Sequence, residues 1–527
     1  MQGDIFGEIL SKKSRKKVAN SFAAPFDGRL VHRHAFDSAV GHSQMQILMQ
    51  PEHQRLAHVA NTVLHFPSIF SEILFDLDQS VARFGRLLAP LMWSYHPELL
   101  AKPVPRYTSY PTAVEFHDGC GAEEYVQALS EMPSGTPLSL YIHIPYCHSI
   151  CWYCGCNTGA AGKAQRLTAY LDALEKEFAL IGRLLGGRGK IRRIAFGGGS
   201  PNAITTMEFV RLLDRITTIF DAGTPEISVE LDPRGFTSEW ALALAASHVD
   251  RVSLGVQTFA PHVQEAIGRI QPLADIEKSV STLRRHGIDS INFDLMYGLP
   301  QQSLQDLNET LTQTIELQPS RVSLFGYAHM PGMMPRQRRI DGDSLPDAAL
   351  RFEQSELGYQ RLTEAGYVAI GFDHFALPTD SLAIAASEGR VHRNFQGFTE
   401  DPNETLIGFG ASAISCLPGL LVQNEKNVGR YRSLVSSDAV AAVRGVTRDQ
   451  ETRKRGATIS SLLCQGHVDA GAANMLPDVH LLDIFDEKGL ICQRDGQLVI
   501  TETGRPYARH IACLFDQFRT RQEAIAA

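Results

Sequence analysis

The sequence predicts a parallel α/β fold, in which a partial barrel of six strand–helix units is followed by a smaller helical domain that carries a β-wing. From about residue 136, short β-rich runs alternate with stretches whose apolar residues recur at helical spacing. After about residue 430 this rhythm changes to helices and one hairpin pattern. Alternation of this kind is typical of a parallel sheet with crossover helices.

The six predicted strands are short runs rich in β-branched and aromatic residues. They are Leu138–Ile144, Ile191–Phe196, Ile227–Leu231, Arg251–Val256, Ile291–Met296 and Arg321–Tyr327. The stretch between the first two has one apolar stripe, formed by Leu171, Leu174, Phe178, Ile181 and Leu185. Six units are fewer than a complete eight-unit barrel, so we expect the barrel to be open.

Beyond the barrel, the domain limits follow changes in pattern. We predict an N-terminal extension of unknown role over residues 1–92 and an arm over residues 93–135 that helps to close the barrel and its substrate site. The barrel itself covers residues 136–430, and a C-terminal helical domain covers residues 431–527. The last domain should contain a hairpin within Gly489–Thr503, because Asp495-Gly496 is a two-residue turn sequence.

The N-terminal extension carries a basic run from Lys12 to Lys17, which indicates a solvated, poorly ordered tail. Binding of nucleic acid by these charges is the alternative. A further hypothesis is that natural translation starts at Met92, shortly before the first interpretable segment. Mass spectrometry of the native N-terminus would test it.

The composition narrows the class of protein. Of 527 residues, 44% are hydrophobic and 20% charged, which suits a globular chain. A net charge of −8 disfavours general nucleic-acid binding, and neither a membrane-spanning run nor a secretory signal is apparent, so we expect a cytoplasmic protein. Nine cysteines are too few for a disulfide scaffold.

Four of those cysteines follow the first predicted strand, with the spacing C-x3-C-x2-C-x-C at Cys147, Cys151, Cys154 and Cys156. Three thiolates this close on one loop suit three irons of a [4Fe–4S] cubane, with the fourth iron open to another ligand. A zinc site with four thiolates is the alternative, although zinc sites generally use two separated Cys-x2-Cys pairs. Cys156 stays open as a fourth ligand, a redox thiol or a residue near the cluster.

This loop resembles the signature of the radical SAM superfamily, and Cys156 narrows the resemblance to the oxygen-independent coproporphyrinogen III oxidase family. Three further segments resemble motifs of that family: Pro105–Thr112, Asp373–Pro378 and His392–Thr399. The similarity runs from about residue 100 nearly to the C-terminus. The cysteine loop alone would indicate only the superfamily, whereas the four segments together are specific.

The resemblance implies decarboxylation of two propionates of coproporphyrinogen III to vinyls, giving protoporphyrinogen IX in haem biosynthesis. It implies a [4Fe–4S] cluster on Cys147, Cys151 and Cys154 and one or two molecules of S-adenosylmethionine (SAM), whose cleavage yields a 5′-deoxyadenosyl radical. No catalytic residue beyond the cluster and SAM is required. The implied partners are coproporphyrinogen III and a reducing flavodoxin- or ferredoxin-type donor, and the implied state is a monomer.

Polar residues at strand ends are the next candidates. Glu230, Gln257 and Asp294 lie at or near the ends of the third, fourth and fifth predicted strands, where polar groups are costly to bury without partners. The Gly197–Ser200 turn follows the second strand, and glycines there allow close approach of backbone to a ligand.

The resemblance assigns SAM contacts residue by residue. One group comprises Tyr141, Gly198, Glu230 and Ile414, and the other, for the same or a second SAM, comprises Tyr153, Gly199, Ser200, Gln257, Arg269, Asp294 and Ala328. Without the resemblance, Arg269 would be interpreted as a surface helix residue, and Ala328 and Ile414 as core. Ser200 and Asn202 both stand where the family usually has threonine.

The substrate carries four carboxylates, so we expect Arg, His and Tyr side chains of segments 105–112 and 373–399 to bind them, with a structural role for the arm tyrosines as the alternative. Two related functions remain open, a haem chaperone and an anaerobic haem-degrading radical SAM methyltransferase. The relatives that act as chaperones typically lack Cys156 and the Pro105–Thr112 segment, and both are present here.

Overall fold

The strands of the protein are numbered β1 to β19 along the chain in the computed structural model, which describes residues 93–162 and 164–519. They are β1 Thr136–Ile144, β2 Tyr146–Cys147, β3 Gly159–Ala160, β4 Gly189–Gly198, β5 Glu226–Leu231, β6 Arg251–Gln257, β7 Ser290–Tyr297, β8 Arg321–Gly326, β9 Val368–Ile370, β10 His374–Ala376, β11 His392–Asn394, β12 Gly397–Thr399, β13 Thr405–Phe409, β14 Ile414–Leu417, β15 Leu420–Asn424, β16 Ala442–Thr447, β17 His467–Asp469, β18 Ile491–Arg494 and β19 Gln497–Ile500.

One large open sheet organises the fold. Its strand order is β16-β15-β14-β13-β1-β4-β5-β6-β7-β8-β10-β9. Neighbours from β13 through β8 pair in parallel, whereas the strands outside them pair antiparallel. The six predicted strands are therefore confirmed as β1 and β4 to β8. The barrel is open, as six units predict.

The helices pack against this sheet and connect its strands. They are α1 Pro97–Leu100, α2 Ala122–Ser130, α3 Ala164–Leu185, α4 Thr206–Phe220, α5 Ser238–Ala246, α6 Pro261–Ala266, α7 Leu273–Arg285, α8 Leu304–Leu317, α9 Ala348–Glu364, α10 Ser381–Ser387, α11 Val428–Ser436, α12 Gln450–Cys464, α13 Asp483–Glu487 and α14 Ala508–Cys513. None of them, within the described part of the chain, combines the length and apolar character that crossing a bilayer requires.

Local sequence explains where the crossover helices begin. Thr205 caps α4 and Ser303 caps α8, each in a capping box with an acidic residue three positions later. Helix α3 buries Leu171, Leu174 and Phe178, which belong to the stripe predicted for it. The sheet-facing side of each helix is thus set by apolar spacing, and its start by the cap.

Strand β13 is the main feature that the sequence interpretation missed. It lies on the far side of β1 and pairs with it in parallel, Leu140 opposite Ile407. The two strands are far apart in sequence, and β13 is only five residues long. Periodicity in a single segment carries no information about such a distant partner, so the predicted six-unit sheet lacked this seventh parallel strand.

The β-wing is confirmed. Asp495 and Gly496 connect β18 to β19, and both have positive φ, 50° and 74°, as a type I′ turn requires. Strand β17 adds to the other side of β19. The described residues form one compact unit, and the boundary at residue 431 stays a prediction. The basic run at Lys12–Lys17 and the proposed start at Met92 lie outside the described residues.

Candidate active site

The predicted site residues lie along one edge of the sheet, at the C-terminal ends of its parallel strands. Tyr141 is in β1, Gly198 ends β4, Glu230 is next to last in β5, Gln257 ends β6, Asp294 is in β7, Ala328 follows β8, and Ile414 begins β14. Gln257 also has left-handed backbone, with φ of 67°. This edge is where parallel α/β proteins place their functional loops.

The cysteine loop leaves β1 and is held from several sides. Trp152 N donates to Ile267 O at 2.9 Å, and Gly159 N donates to Pro145 O at 2.9 Å. Trp152 and Tyr153 pack on a small apolar cluster that includes Ile267 and Tyr327. The loop conformation is therefore fixed by contacts outside the cysteines themselves.

The four cysteines of this loop differ in exposure. Cys147 and Cys151 are buried, Cys154 is half-buried and Cys156 is exposed. Cys156 N donates to Cys154 Sγ at 3.4 Å. All nine cysteines of the chain lie in the described residues and none forms a disulfide, which agrees with the prediction of a metal site rather than a disulfide scaffold.

Hydrogen bonds to sulfur mark this loop as a place for thiolates. Arg269 Nη1 donates to Cys151 Sγ at 3.2 Å, and Arg234 Nη2 does so at 3.4 Å. Thr158 Oγ1 lies 3.3 Å from Cys147 Sγ. Hydrogen bonds and positive charge at the sulfurs stabilise the anionic ligands that an iron–sulfur cluster uses.

The donor set fits a cubane. The three thiolates of a cubane bind three different irons, so closely spaced cysteines on one loop can supply all of its protein ligands. Cys147, Cys151 and Cys154 on one pinned loop, with two guanidiniums at Cys151 Sγ, therefore suit a [4Fe–4S] cluster.

Asp232 orients those two guanidiniums and was not predicted. Its carboxylate accepts from Arg234 Nη2 at 2.6 Å and from Arg269 Nη2 at 3.2 Å. Arg269 is 6% exposed and lies in the loop after α6, so it is not the surface helix residue that the sequence without the resemblance would indicate. The acid-Pro-Arg sequence after β5 was a weak signal, but the partner Arg269 lies 37 residues further on.

The Gly197–Ser200 turn packs on the cysteine loop. Gly199 N donates to Ile144 O, and Ser200 N donates to Tyr146 O, each at 2.8 Å. Gly198 has φ of +110°, and a Cβ there would lie 2.5 Å from His143 Nδ1. The close approach of His143 to this turn thus already favours glycine at position 198, whether or not SAM is bound. The contact of the turn with SAM stays a prediction.

Ser200 and Asn202, the two departures from the family pattern, act together. Their side chains hydrogen-bond to each other, and Asn202 Nδ2 donates to Asp232 O at 2.8 Å. Asp232 N in turn donates to Asn202 Oδ1 at 3.1 Å. The pair therefore ties the glycine turn to the end of β5, next to the carboxylate that orients the arginines.

Glu230 and Asp294 form an acidic pair in the mouth of the open barrel, where they lie in the C-terminal halves of β5 and β7. Burial, together with the negative charge of Asp294, raises the pKa of Glu230 to about 7, although Gly198 N donates to its carboxylate at 3.4 Å. Burial also raises the pKa of Asp294, against hydrogen bonds from Ser253 at 2.9 Å and Asn292 at 2.9 Å. Both carboxyl groups are partly buried and accept hydrogen bonds from neighbouring residues.

Two predicted contacts are joined by a side chain that was not predicted. Gln337 Nε2 donates to Tyr153 O at 2.9 Å and to Ala328 O at 3.2 Å, so it links the cysteine loop to the end of β8. Ala328 is exposed and Ile414 is half-buried, so neither is the core residue that the sequence without the resemblance would indicate. Both stand at the sheet edge instead, with Ile414 O close to Gly408, the partner of Tyr141 in β13.

The tyrosines of the arm make structural contacts. Tyr107 Oη donates to Asp516 Oδ2 at 3.0 Å, and Tyr110 Oη accepts from Gln517 N at 3.0 Å. These bonds favour the alternative interpretation, in which the tyrosines fasten the arm to the C-terminus. Arg106 of the same arm points elsewhere, with Nη2 3.3 Å from Asp373 Oδ2.

Comparison with known proteins agrees with this geometry. The model of the radical SAM superfamily matches residues 141–313. The chain is 40% identical to an oxygen-independent coproporphyrinogen III oxidase of Bradyrhizobium diazoefficiens, over 81% of this chain and 96% of the relative. It is 36% identical to the protein of that name from Escherichia coli, over 80% and 94% of the two chains.

A solved structure gives the same result. Coproporphyrinogen III oxidase (HemN) from Escherichia coli, described as a radical SAM enzyme, superposes with a TM-score of 0.75 at 34% identity, covering 81% of this chain and 100% of that one. The similarity thus extends over the whole length of the relative and includes the cysteine loop, the glycine turn and the strand ends. The chain belongs to the oxygen-independent coproporphyrinogen III oxidase family of the radical SAM superfamily.

Proposed function

We propose that this protein catalyses the oxygen-independent oxidative decarboxylation of coproporphyrinogen III, turning two propionates into vinyls and yielding protoporphyrinogen IX. One observation carries the proposal: the cysteine loop, the glycine turn and the acidic strand ends meet at one sheet edge, in a chain 40% identical to a coproporphyrinogen III oxidase. The enzyme is accordingly a radical SAM oxidoreductase of haem biosynthesis.

Cys147, Cys151 and Cys154 would hold the [4Fe–4S] cluster, and SAM would occupy the remaining iron. When bound, these cofactors supply the 5′-deoxyadenosyl radical that removes hydrogen from the substrate. Arg234 and Arg269 donate to Cys151 Sγ and balance the charge of the thiolates, while Asp232 keeps both guanidiniums in place. We assign Cys156, whose N–H bonds to Cys154 Sγ, a supporting role beside the cluster.

The SAM site is proposed from the strand ends. Gly198, Gly199 and Ser200 present backbone at the turn beside the cluster loop, and Glu230 and Asp294 offer carboxylates that accept hydrogen bonds from ribose hydroxyls or an ammonium group. The other residues assigned to one or two SAM molecules line the same edge: Tyr141, Tyr153, Gln257, Arg269, Ala328 and Ile414.

The remaining partners are proposed from the chemistry. The reaction needs single electrons at low potential, so the reductant is a flavodoxin- or ferredoxin-type protein. We further propose that the enzyme works as a monomer, because the described residues already bring the cluster loop and the SAM edge together within one chain.

The test is an anaerobic assay of the reconstituted protein with reductant, SAM and coproporphyrinogen III, in which porphyrins and 5′-deoxyadenosine are measured together. Protoporphyrin formed along with deoxyadenosine is the expected result. Deoxyadenosine formed without decarboxylation would indicate that the protein acts on a different substrate, such as haem. If a protein with an intact cluster formed neither product, a haem chaperone would be the favoured function.

A further inference from the structure

Three arginines from separate parts of the chain meet beside one buried carboxylate at the C-terminal edge of the sheet, and a fourth arginine interacts with one of them. We call them the arginine cluster; its members are Arg106, Arg351, Arg393 and Arg509. Arg106 Nη2 lies 3.3 Å and Arg393 Nη1 4.0 Å from the two oxygens of Asp373. Arg393 Nε also donates to Arg106 O at 3.1 Å, and Arg509 interacts electrostatically with Arg106, Arg351 and Asp373.

Positive charge is in excess here. Within the described residues, Asp373 is the only carboxylate in ion-pair distance of any member of the arginine cluster, and it also bonds to His374 Nδ1 at 2.7 Å. Burial lowers the pKa of Arg509, and the neighbouring Arg106 and Arg351 lower it further. Guanidiniums grouped together without matching carboxylates are costly, unless an anionic ligand completes the group.

One guanidinium nitrogen in the cluster is buried without a hydrogen bond. The Arg393 side chain is 3% exposed, and its Nη1 has no hydrogen-bond partner among the described residues. The Arg106 side chain, by contrast, is 48% exposed, so solvent or a ligand reaches the cluster from that side. A purely structural ion-pair network would match its charges, whereas this one leaves donors available for a carboxylate.

Aromatic rings lie directly beside these cations. The Cζ atom of Arg106 stands 4.7 Å from the centre of the Phe325 ring, and that of Arg393 stands 4.3 Å from the centre of Phe398. Arg509 lies over Phe372 at 5.3 Å. Planar guanidiniums fixed against aromatic faces suit a ligand that combines flat, apolar rings with carboxylates.

The arginine cluster adjoins the proposed SAM edge. His374, the neighbour of Asp373, interacts electrostatically with Asp294, and a Cβ on Gly397 would lie 2.6 Å from its Nε2. The side chain of the next residue back, Gln396, interacts with Glu230. A ligand held by the arginines thus has its other end within reach of the acidic pair in the mouth.

We propose that the arginine cluster binds propionate carboxylates of the substrate and so places the reacting propionate at the SAM edge. This inference rests on the proposed function for the identity of the ligand. Arg351 and Arg509 come from α9 and α14, which shows that the carboxylate site extends beyond the two segments indicated by the sequence. Asp373 holds Arg106 and Arg393 in position beneath the ligand.

The test compares variants of the full, cluster-loaded protein. Arg106→Gln, Arg351→Gln and Arg509→Gln should each raise KM for coproporphyrinogen III about tenfold, the loss expected for one charge-assisted hydrogen bond, with a much smaller change in kcat. Arg509→Lys keeps the charge and should recover part of the loss. Arg494→Gln, at an 80% exposed position on the β-wing, is the matched control and should behave as wild type.

A binding measurement separates the two proposals. Fluorescence titration uses coproporphyrin III and its tetramethyl ester, which lacks the charges. The glutamine variants should bind the tetra-acid about tenfold more weakly than wild type does. The ester should bind weakly, and with the same affinity, to the variants and to wild type. If wild type turns over coproporphyrinogen III while all three variants keep KM and tetra-acid affinity within about twofold, the arginine inference is wrong and the proposed function stands. If wild type forms no protoporphyrin, the proposed function is wrong. The titration alone then still tests whether the arginine cluster binds porphyrin carboxylates.

Discussion

The cysteine loop and the arginine cluster lie on the same sheet edge but are built in opposite ways. Ten consecutive residues supply the loop, Cys147 to Cys156, whereas the cluster draws Arg106, Arg351, Arg393 and Arg509 from four distant segments. The loop is therefore visible as a motif, and the cluster appears only after folding. The chemistry common to many radical enzymes is encoded locally here, and the proposed substrate recognition is encoded through tertiary structure.

Replacing Cys151 should give the largest effect, because it removes one of the three thiolates proposed to bind the cluster. Cys151→Ala should abolish protoporphyrin formation and the visible absorbance of the reconstituted cluster. Cys492→Ala, on the β-wing strand β18, is the matched control and should retain both. Full activity in Cys151→Ala would contradict the ligand assignment.

A substitution in the glycine turn tests whether the backbone conformation there shapes the proposed SAM site. Gly198→Ala places a side chain at φ of +110° and drives its Cβ towards His143, so deoxyadenosine formation should fall about 10- to 100-fold. Gly287→Ala is the control, since Gly287 also has positive φ, +81°, but nothing lies within 4 Å of its Cβ position. Equal losses in both variants would show that only folding stability had changed.

Asp232 tests the charge balance at the cluster. Asp232→Asn removes a negative charge but leaves Arg234 and Arg269 near Cys151 Sγ, so the reduction potential of the cluster should rise on the order of tens of millivolts. A redox titration followed by electron paramagnetic resonance measures it. Asp495→Asn, at a 91% exposed position, should leave the potential unchanged, and an unchanged potential in Asp232→Asn would sink this account.

Glu177 should matter for stability alone, since it lies away from both regions. It accepts hydrogen bonds from Tyr431 Oη at 2.7 Å, Gly410 N at 2.8 Å and Asn424 Nδ2 at 2.8 Å, and burial raises its pKa to about 7. Because the folded state holds this proton more tightly than the unfolded chain, the contribution is complete below about pH 4.5 and is lost as pH rises through about 7.

Glu177→Gln should therefore flatten the fall in unfolding free energy between pH 4.5 and 8 by up to about 3 kcal/mol. Activity at neutral pH should stay close to wild type, because the residue touches neither the cysteine loop nor the arginine cluster. Denaturant unfolding at several pH values measures the effect. The same pH slope in both proteins would show that Glu177 keeps an ordinary pKa.

Local signals explain what the sequence could predict. Strands β1 and β4 to β8, the cysteine loop and the Asp495-Gly496 turn all depend on residues close in the chain, and the structure confirms them. The parallel pairing of β13 depends on a distant partner and was missed. The same reason hid Asp232, whose partner Arg269 is 37 residues away, and the pairing of Arg106 with Asp373 across 267 residues.

Burial at two further positions is also hidden from the sequence. Without the resemblance, Arg269 would be interpreted as exposed and Ala328 as core, and the structure shows the reverse at both. Arg269 can be buried because a carboxylate and a sulfur atom accept its hydrogen bonds. Ala328 can be exposed because its backbone carbonyl, rather than its methyl group, makes the contact with Gln337. Neither condition is visible in hydropathy. Only the family resemblance identified these positions.

The anchoring of the cysteine loop has a consequence for what a change at its sulfur atoms would disturb. Gln337 and Ile267 hold the loop backbone through hydrogen bonds that involve none of the sulfur atoms. These bonds offset part of the conformational entropy that ordering the loop costs. A cysteine substitution therefore removes a thiol but leaves these two backbone attachments of the loop in place.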